Sequence, residues 1–234
     1  MKERGNILFL ILLAIVLFAA LSYAVTNGTR VSDNGGMSKE AAESAAADIL
    51  NWTAQVDVVV QRMRMIKGYS IEDISFRDNA NKDQTGGADI FHNTNCGGTD
   101  CRVFYPDGGG ATSRFFEKYA YAAANVGDAN LRMPGHHTYM MGQVANIGTP
   151  ANDLLLRIDY LALPVCKALN RKLGLSECPA VGQTGSIRRF EGAVGPSIVD
   201  AASAYKYSAD VTGQTNFCSC SGNAGSFLHV VIER

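Results

Sequence analysis

The sequence has none of the short motifs that mark a common catalytic centre. It contains neither a Gly-x-Ser-x-Gly nucleophile elbow nor a His-Glu-x-x-His zinc motif. The glycine-rich segment 106–110 (PDGGG) is not followed by the Lys-Ser/Thr of a phosphate-binding loop, so it is predicted to form a turn. These absences predict a protein that is not an enzyme and holds no cofactor.

An excess of basic charge is also absent. The 21 Lys and Arg residues are balanced by 22 Asp and Glu residues, which leaves a net charge of -1. Nucleic-acid-binding domains normally carry a basic face. We therefore expect no nucleic-acid partner.

Charged side chains are missing altogether between Arg4 and Arg30. The apolar run 7–21, with the weakly polar residues that follow, gives about 20 uncharged residues, enough for a helix to span a bilayer core of ~30 Å. Lys2 and Arg4 precede the run, and the positive-inside rule then places the N-terminus in the cytoplasm and the C-terminus outside. About 205 residues remain beyond this segment, a suitable size for one domain.

Three interpretations of this N-terminus are open. It could be a secretory signal cut after the small-residue site Ser22-Tyr23-Ala24, or a plain signal anchor that is retained. The third interpretation comes from the join Arg4-Gly5-Asn6, where a very short charged leader ends in glycine directly before the apolar run. This join resembles the leader of type IV prepilins and of the pseudopilins of type II secretion systems.

The resemblance implies how the chain is processed and assembled. A prepilin peptidase would cut after Gly5, so that the mature chain begins at Asn6, often N-methylated in the family, and keeps its apolar helix. That helix would anchor the subunit in the inner membrane and later pack against like subunits in a homo- or hetero-filament. The family usually has a glutamate at the fifth mature position, where this chain has Leu10. This departure counts more against a major pilin than against pilin-like ancestry.

A second long helix is predicted after a break of turn-forming residues at 27–37. Ser38 is a suitable N-cap, and the helix should run from Lys39 to about Ile66. Apolar residues recur there with helical spacing and define one face to be buried. This face comprises Ala42, Ala46, Ile49, Val56, Val60 and Met63, and it is widened by Trp52, Val59 and Ile66.

The remaining chain predicts a glycine-rich α+β domain. Short strands are expected at 71–76 and, more loosely, at 138–147, and the β-branched segment 227–233 (FLHVVIE) is the clearest strand. Helical spacing over 150–173 predicts a helix that Pro164 must kink or divide. The predicted domains are thus a leader (1–5), a transmembrane or filament-core helix (6–26), a flexible break (27–37) and an extracytoplasmic domain (38–234). This order resembles the pilin plan, in which a long helix lies across an antiparallel sheet.

Six cysteines behind an apolar N-terminus indicate disulfides in an oxidising compartment. Cys96 and Cys101 are close enough in sequence for a local bridge, whereas Cys218 and Cys220 are too close to bridge each other comfortably. One set that satisfies this preference joins Cys96 to Cys101 and links Cys166 and Cys178 to the 218/220 pair. Six cysteines allow fifteen connectivities, and the sequence leaves the choice open.

Metal sites are weakly indicated. Asn79, Asn81 and Asp83 place several oxygen ligands close together and are candidate calcium ligands, although the glycine and the closing glutamate of an EF-hand loop are missing. The adjacent pair His136-His137 is not expected to bind one ion, because neighbouring side chains point in different directions. His92 and His229 are isolated, and His229 is expected to be packed or solvated.

Together these features predict a structural subunit, either a pilin or a minor pseudopilin, of a type IV pilus-like or type II secretion-like filament. It would cross the inner membrane once, with the C-terminal domain in the periplasm or at the cell surface. The alternative is a secreted or membrane-anchored extracytoplasmic enzyme or binding domain with a cleaved signal peptide or a signal anchor.

Overall fold

The computed structural model describes residues 5–28, 37–78, 93–121, 134–142, 144, 146–149, 151–179, 181–183, 188–190, 205–207 and 211–234. The chain divides into two compact units, Met1–Ser38 and Lys39–Arg234. The described part of the first unit consists mainly of helix α1, Gly5–Gly28. Most of the predicted break at 27–37 lies outside the described residues. The three calcium candidates, Asn79, Asn81 and Asp83, all lie outside them.

The second unit is α+β, as predicted. Its helices are α2 (Lys39–Lys67) and α3 (Leu163–Lys172), with a short 3₁₀ turn at Glu117–Tyr119. Its strands are β1 (His137–Gly142), β2 (Asp153–Ala162), β3 (Val181–Gln183), β4 (Arg188–Arg189), β5 (Tyr205–Tyr207), β6 (Asn216–Ser221) and β7 (Ala224–Ile232). Strands β4, β1, β2, β7 and β6 lie side by side in that order with antiparallel neighbours, and β3 pairs with β5.

Helix α2 covers one face of the sheet. Its bounds match the prediction, and the six residues of the predicted apolar stripe are all buried. Gly68, with φ of +72°, follows the last helical residue, a conformation that glycine adopts at little cost and that commonly ends a helix. The helix contacts α3 and β7, so the sheet and the two helices share a core.

Among the described residues, irregular segments and no helix cover the opposite face of the sheet. Leu155 on β2 and Leu228 and Val230 on β7 point to this side, where they pack with residues from the neighbouring strands and loops. The rest of this cluster consists of Met140, Val144, Ile147, Val211 and Phe217, with the partly buried Leu175 against it. Strand β2 is therefore buried on both faces.

The predicted helix over 150–173 is wrong in its first half, which forms β2. Residues buried on both faces of a sheet form a continuous apolar run, so the alternation that identifies a strand is lost. In such a run, Leu154, Ile158 and Leu161 also satisfy helical spacing. Pro164 does not kink a helix; it lies in the first turn of α3, where its missing N–H has no helical acceptor to lose.

Two other strand predictions need correction. Over 71–76 the backbone forms only one parallel bridge, between Ser75 and Arg102, rather than a strand. The strand predicted at 138–147 begins one residue earlier and ends at Gly142. The C-terminal strand is confirmed and begins at Ala224. The segment 106–110 forms the expected turn, in which Gly108 and Gly110 both donate to the carbonyl of Tyr105.

Candidate functional site

Helix α1 exposes its apolar side chains in every direction. The large side chains of Phe9 and of the described positions up to Leu21 are between 45% and 72% exposed. Because residues 11–13 and 15–18 are consecutive, they point around the whole circumference of the helix, which has no polar face. The small residues Ala14, Ala19, Ala20 and Ser22 interrupt this surface and are exposed as well. Such a surface is typical of a segment that apolar surroundings cover.

Within the described part of the chain, no helix combines the length and the apolar character that crossing a membrane requires. The predicted processing residues Gly5 and Asn6 are the first two residues of α1. The side chain of Leu10, which replaces the family glutamate, lies outside the description.

Helix α2 also carries three large apolar side chains that are exposed, which the sequence did not predict. Val58, Met65 and Ile66 are 69%, 76% and 77% exposed. The prediction that Ile66 widens the buried stripe is therefore wrong. Ile66 lies in the last turn, at the edge of the arc centred on Val56, Val60 and Met63, where no described residue of the sheet covers it.

One disulfide joins α3 to the edge strand β6, a second joins the segment after α3 to the same strand, and the third closes a local loop. The bridges are Cys96–Cys101, Cys166–Cys218 and Cys178–Cys220, with Cα–Cα distances of 5.7, 5.3 and 5.4 Å. This confirms the expected grouping and selects one pairing within it. Asn170 of α3 reinforces the junction, because its side chain donates to the carbonyl of Cys218 at 2.7 Å and accepts from the same residue's N–H at 2.8 Å.

The rings of His136 and His137 both stack on Phe115, but their other contacts differ. His136 Nε2 lies 2.7 Å from Glu117 Oε1, and its ring stacks on Phe115. His137 is fully buried beside the ring of Trp52, and burial lowers its pKa to about 3. Among the described residues, no group of three or more His, Cys, Asp and Glu side chains is arranged to hold a metal ion. Asn79, Asn81, Asp83 and His92 lie outside those residues.

His229 has a role that the sequence could not indicate. It is buried on β7 and joins helix to sheet, with Nε2 2.7 Å from Asp57 Oδ1 of α2 and Nδ1 bonded to Asn216 Oδ1 of β6. The Nδ2 group of Asn216 donates to Thr215 Oγ1, which is consistent with its Oδ1 pointing at the ring. Asp57 and His229 are separated by 172 residues, and no local pattern connects them.

Strand β2 contains a buried ion pair that the predicted helix over this segment did not indicate. Arg157 Nε donates to Asp159 Oδ1 at 2.6 Å, and Ser226 Oγ donates to the same oxygen at 2.6 Å. Residues two apart point to the same face of a strand but to different sides of a helix. A strand assignment would have been the signal that brings Arg157 and Asp159 together.

No known family model matches this chain, and neither a curated protein nor a solved structure matches it.

Proposed function

We propose that this chain is a structural subunit, a pilin or minor pseudopilin, of a type IV pilus-like or type II secretion-like filament. The observation that carries the proposal is the surface of α1, which is apolar on all sides and exposed along its described length. An apolar surface of this extent is unfavourable in water, at about 25 cal/mol per Å². The helix therefore needs an apolar environment around its whole circumference.

Two environments supply this, and a filament subunit uses them in turn. Before assembly, α1 lies in the inner membrane with Lys2 and Arg4 on the cytoplasmic side. On assembly it leaves the lipid and packs in a bundle of like helices. Association of apolar helices depends on close packing rather than on expulsion of water, and small residues allow the close approach. Ala14, Ala19 and Ala20 provide such positions on α1.

The second unit suits the extracytoplasmic side of this arrangement. Three disulfides persist in an oxidising compartment and not in a reducing cytosol. Leu10 in place of the family glutamate favours a minor subunit over the major one, because the usual charged contact between neighbouring subunits has no carboxylate here.

The mature N-terminus is the direct test. The full chain is expressed in a host that carries a prepilin peptidase, recovered from membranes and sequenced from its N-terminus. A chain that begins at Asn6 supports the proposal. A start at Val25 identifies a cleaved signal and a secreted domain, and an intact Met1 identifies a plain anchor; either result overturns the proposal.

Matched substitutions distinguish cleavage by a prepilin peptidase after Gly5 from cleavage by a signal peptidase after Ala24. Gly5→Leu should abolish cleavage and leave Met1, because the peptidase cuts after this glycine in the family. Ala24→Leu is the control, since it alters only the candidate signal-peptidase site and should leave cleavage after Gly5 unchanged. Loss of cleavage in Ala24→Leu, with cleavage retained in Gly5→Leu, would contradict the proposal.

A further inference from the structure

The disulfides Cys166–Cys218 and Cys178–Cys220 lie in contact with each other. The sulfur of Cys220 is 3.8 Å from the sulfur of Cys166, although each is bonded to a different partner. Both belong to disulfides and carry no S–H, so this is a sulfur–sulfur contact rather than a hydrogen bond. Cys218 and Cys220 are two residues apart on β6 and thus project from the same face, towards Cys166 of α3.

The sulfur of Cys166 lies over the part of the sheet that carries Cys220. In the β6–β7 register Cys220 is paired with Gly225. A Cβ atom added to Gly225 would overlap the sulfur of Cys166 and lie 2.7 Å from its Cβ. The missing side chain of Gly225 therefore leaves the space that Cys166 occupies. From this position the sulfur of Cys166 is bonded to Cys218 and touches Cys220.

The two bridges differ in their access to solvent. Cys166 and Cys218 are 0% exposed, whereas Cys178 is exposed and Cys220 is half-buried. A thiol in solution can therefore reach the Cys178–Cys220 bridge first. Access governs the rate of thiol–disulfide exchange, so a direct attack on the buried bridge should be slow.

We propose that these four cysteines form a thiol–disulfide exchange site, in which Cys220 relays exchange from solvent to the buried bridge. The co-reactant is a dithiol, either small or carried by a reducing protein. Its thiolate attacks Cys178 Sγ, the Cys178–Cys220 bond breaks, and Cys220 leaves as a thiolate. The second thiol of the reagent, as its thiolate, then displaces Cys178, so the reagent is oxidised to a disulfide and Cys178 becomes a thiol after taking a proton.

The relay step is an internal exchange without net oxidation. The Cys220 thiolate attacks Cys166 Sγ, a Cys166–Cys220 bond forms, and the Cys166–Cys218 bond breaks. Cys218 leaves as a thiolate and takes a proton. Throughout this step α3 stays covalently attached to β6, and its attachment point moves by two residues along the strand. The site is independent of the proposed filament function and would operate in a secreted domain as well.

Two single variants of the full chain test the relay. Cys178→Ser leaves Cys220 as the free thiol beside the Cys166–Cys218 bridge, and Cys220→Ser is the matched control that leaves Cys178 free. Each oxidised variant is incubated at pH 8, alkylated, digested and mapped by mass spectrometry. In Cys178→Ser we expect a Cys166–Cys220 peptide in amounts at least about tenfold above any rearranged Cys166 bridge in the control. Equal rearrangement in both, or none in Cys178→Ser, overturns the proposal.

Limited reduction of the wild-type chain gives a second test that does not depend on how the variants fold. Dithiothreitol is added below the amount needed for all three bridges, and samples are alkylated over time. The Cys178–Cys220 peptide should disappear first, followed by the appearance of Cys166–Cys220 while near-UV circular dichroism still reports a folded core. If the Cys166–Cys218 peptide disappears and no Cys166–Cys220 peptide is detected at any time point, the relay is contradicted.

Discussion

The contacts of His229 connect parts of the second unit that are far apart in sequence. Its ring lies between an oxygen of Asp57 on α2 and an oxygen of Asn216 on β6. Asp57 Oδ1 is a hydrogen-bond acceptor, so Nε2 of the ring donates to it. Removing the Asp57 carboxylate would leave this buried N–H without its acceptor, which is more costly than the bond itself is favourable.

Asp57→Ala, which removes the acceptor, should therefore destabilise the fold. We expect a loss of about 1–3 kcal/mol in the free energy of unfolding, measured by urea denaturation at pH 6 with the full chain in non-ionic detergent. Asp107→Ala is the matched control, because Asp107 is exposed in the turn, and it should change the value by less than about 0.5 kcal/mol. Equal values for the two variants would show that the contact with His229 contributes little.

At the scale of elements, α2 could be predicted closely and β2 could not. The helix is buried on one face only, so its apolar residues repeat with the helical period and both ends carry local signals. Strand β2 is covered on both sides, so its sequence lacks the alternation of a strand and satisfies helical spacing by chance. The exposure of Ile66 on α2 could not be predicted either. Ile66 fits the apolar stripe by its spacing, and it is exposed because the sheet does not extend over it.

Two valines on α2 provide a matched test of its faces. Val60 is fully buried and Val58 is 69% exposed, and both lie in the interior of the same helix. Val60→Ala should lower the free energy of unfolding by about 1–3 kcal/mol, through lost burial and the cavity that remains. Val58→Ala should leave it within about 0.5 kcal/mol, since alanine also favours helix. Denaturant unfolding measures the free energy of unfolding of both variants. A larger decrease for Val58→Ala than for Val60→Ala would mean that another surface covers the outer face of α2.

The cysteine cluster shows a limit of sequence inference that lies between elements. Spacing could indicate that Cys218 and Cys220 bind different partners, and the observed bridges agree. It could not indicate which of the two bonds Cys166, because α3 and β6 are distant in sequence. The contact between Cys166 and Cys220 arises from the packing of α3 over Gly225, which only the assembled sheet provides.

At the scale of the whole molecule, two buried groups oppose each other in the dependence of stability on pH. Burial, the largest cause, raises the pKa of Asp153 to about 6 from its ordinary value of 3.8. Its stabilising contribution is present below about pH 3.8 and is lost as pH rises through 6. Burial lowers the pKa of His137 to about 3 from 6.5, so its contribution is present above pH 6.5 and is lost as pH falls towards 3.

Surface carboxylates add a third dependence at lower pH. A hydrogen bond from Arg114 is the main cause that lowers the pKa of Asp48, and hydrogen bonds from Arg171 do the same for Glu43 and Glu177. Their contributions are present above the ordinary pKa values of 3.8 for Asp48 and 4.5 for Glu43 and Glu177, and are lost as pH falls through the lowered values. Stability should therefore fall further as pH decreases below about 4, by an amount that solvent screening of these surface pairs keeps small.

Between about pH 4 and 6 the two buried groups should nearly cancel, because Asp153 binds a proton only in the folded chain and His137 only in the unfolded chain. We expect wild-type stability to be almost flat in this window, in urea unfolding of the full chain in detergent at pH 4, 5, 6 and 7. Asp153→Asn should unmask His137, so that stability falls with decreasing pH by up to about 1.4 kcal/mol per pH unit. His137→Phe keeps an aromatic ring at the site and should reverse the slope, so that stability rises as pH falls from 6 to 4. Parallel pH curves for the wild type and both variants would mean that neither buried group titrates differently in the folded and unfolded chain.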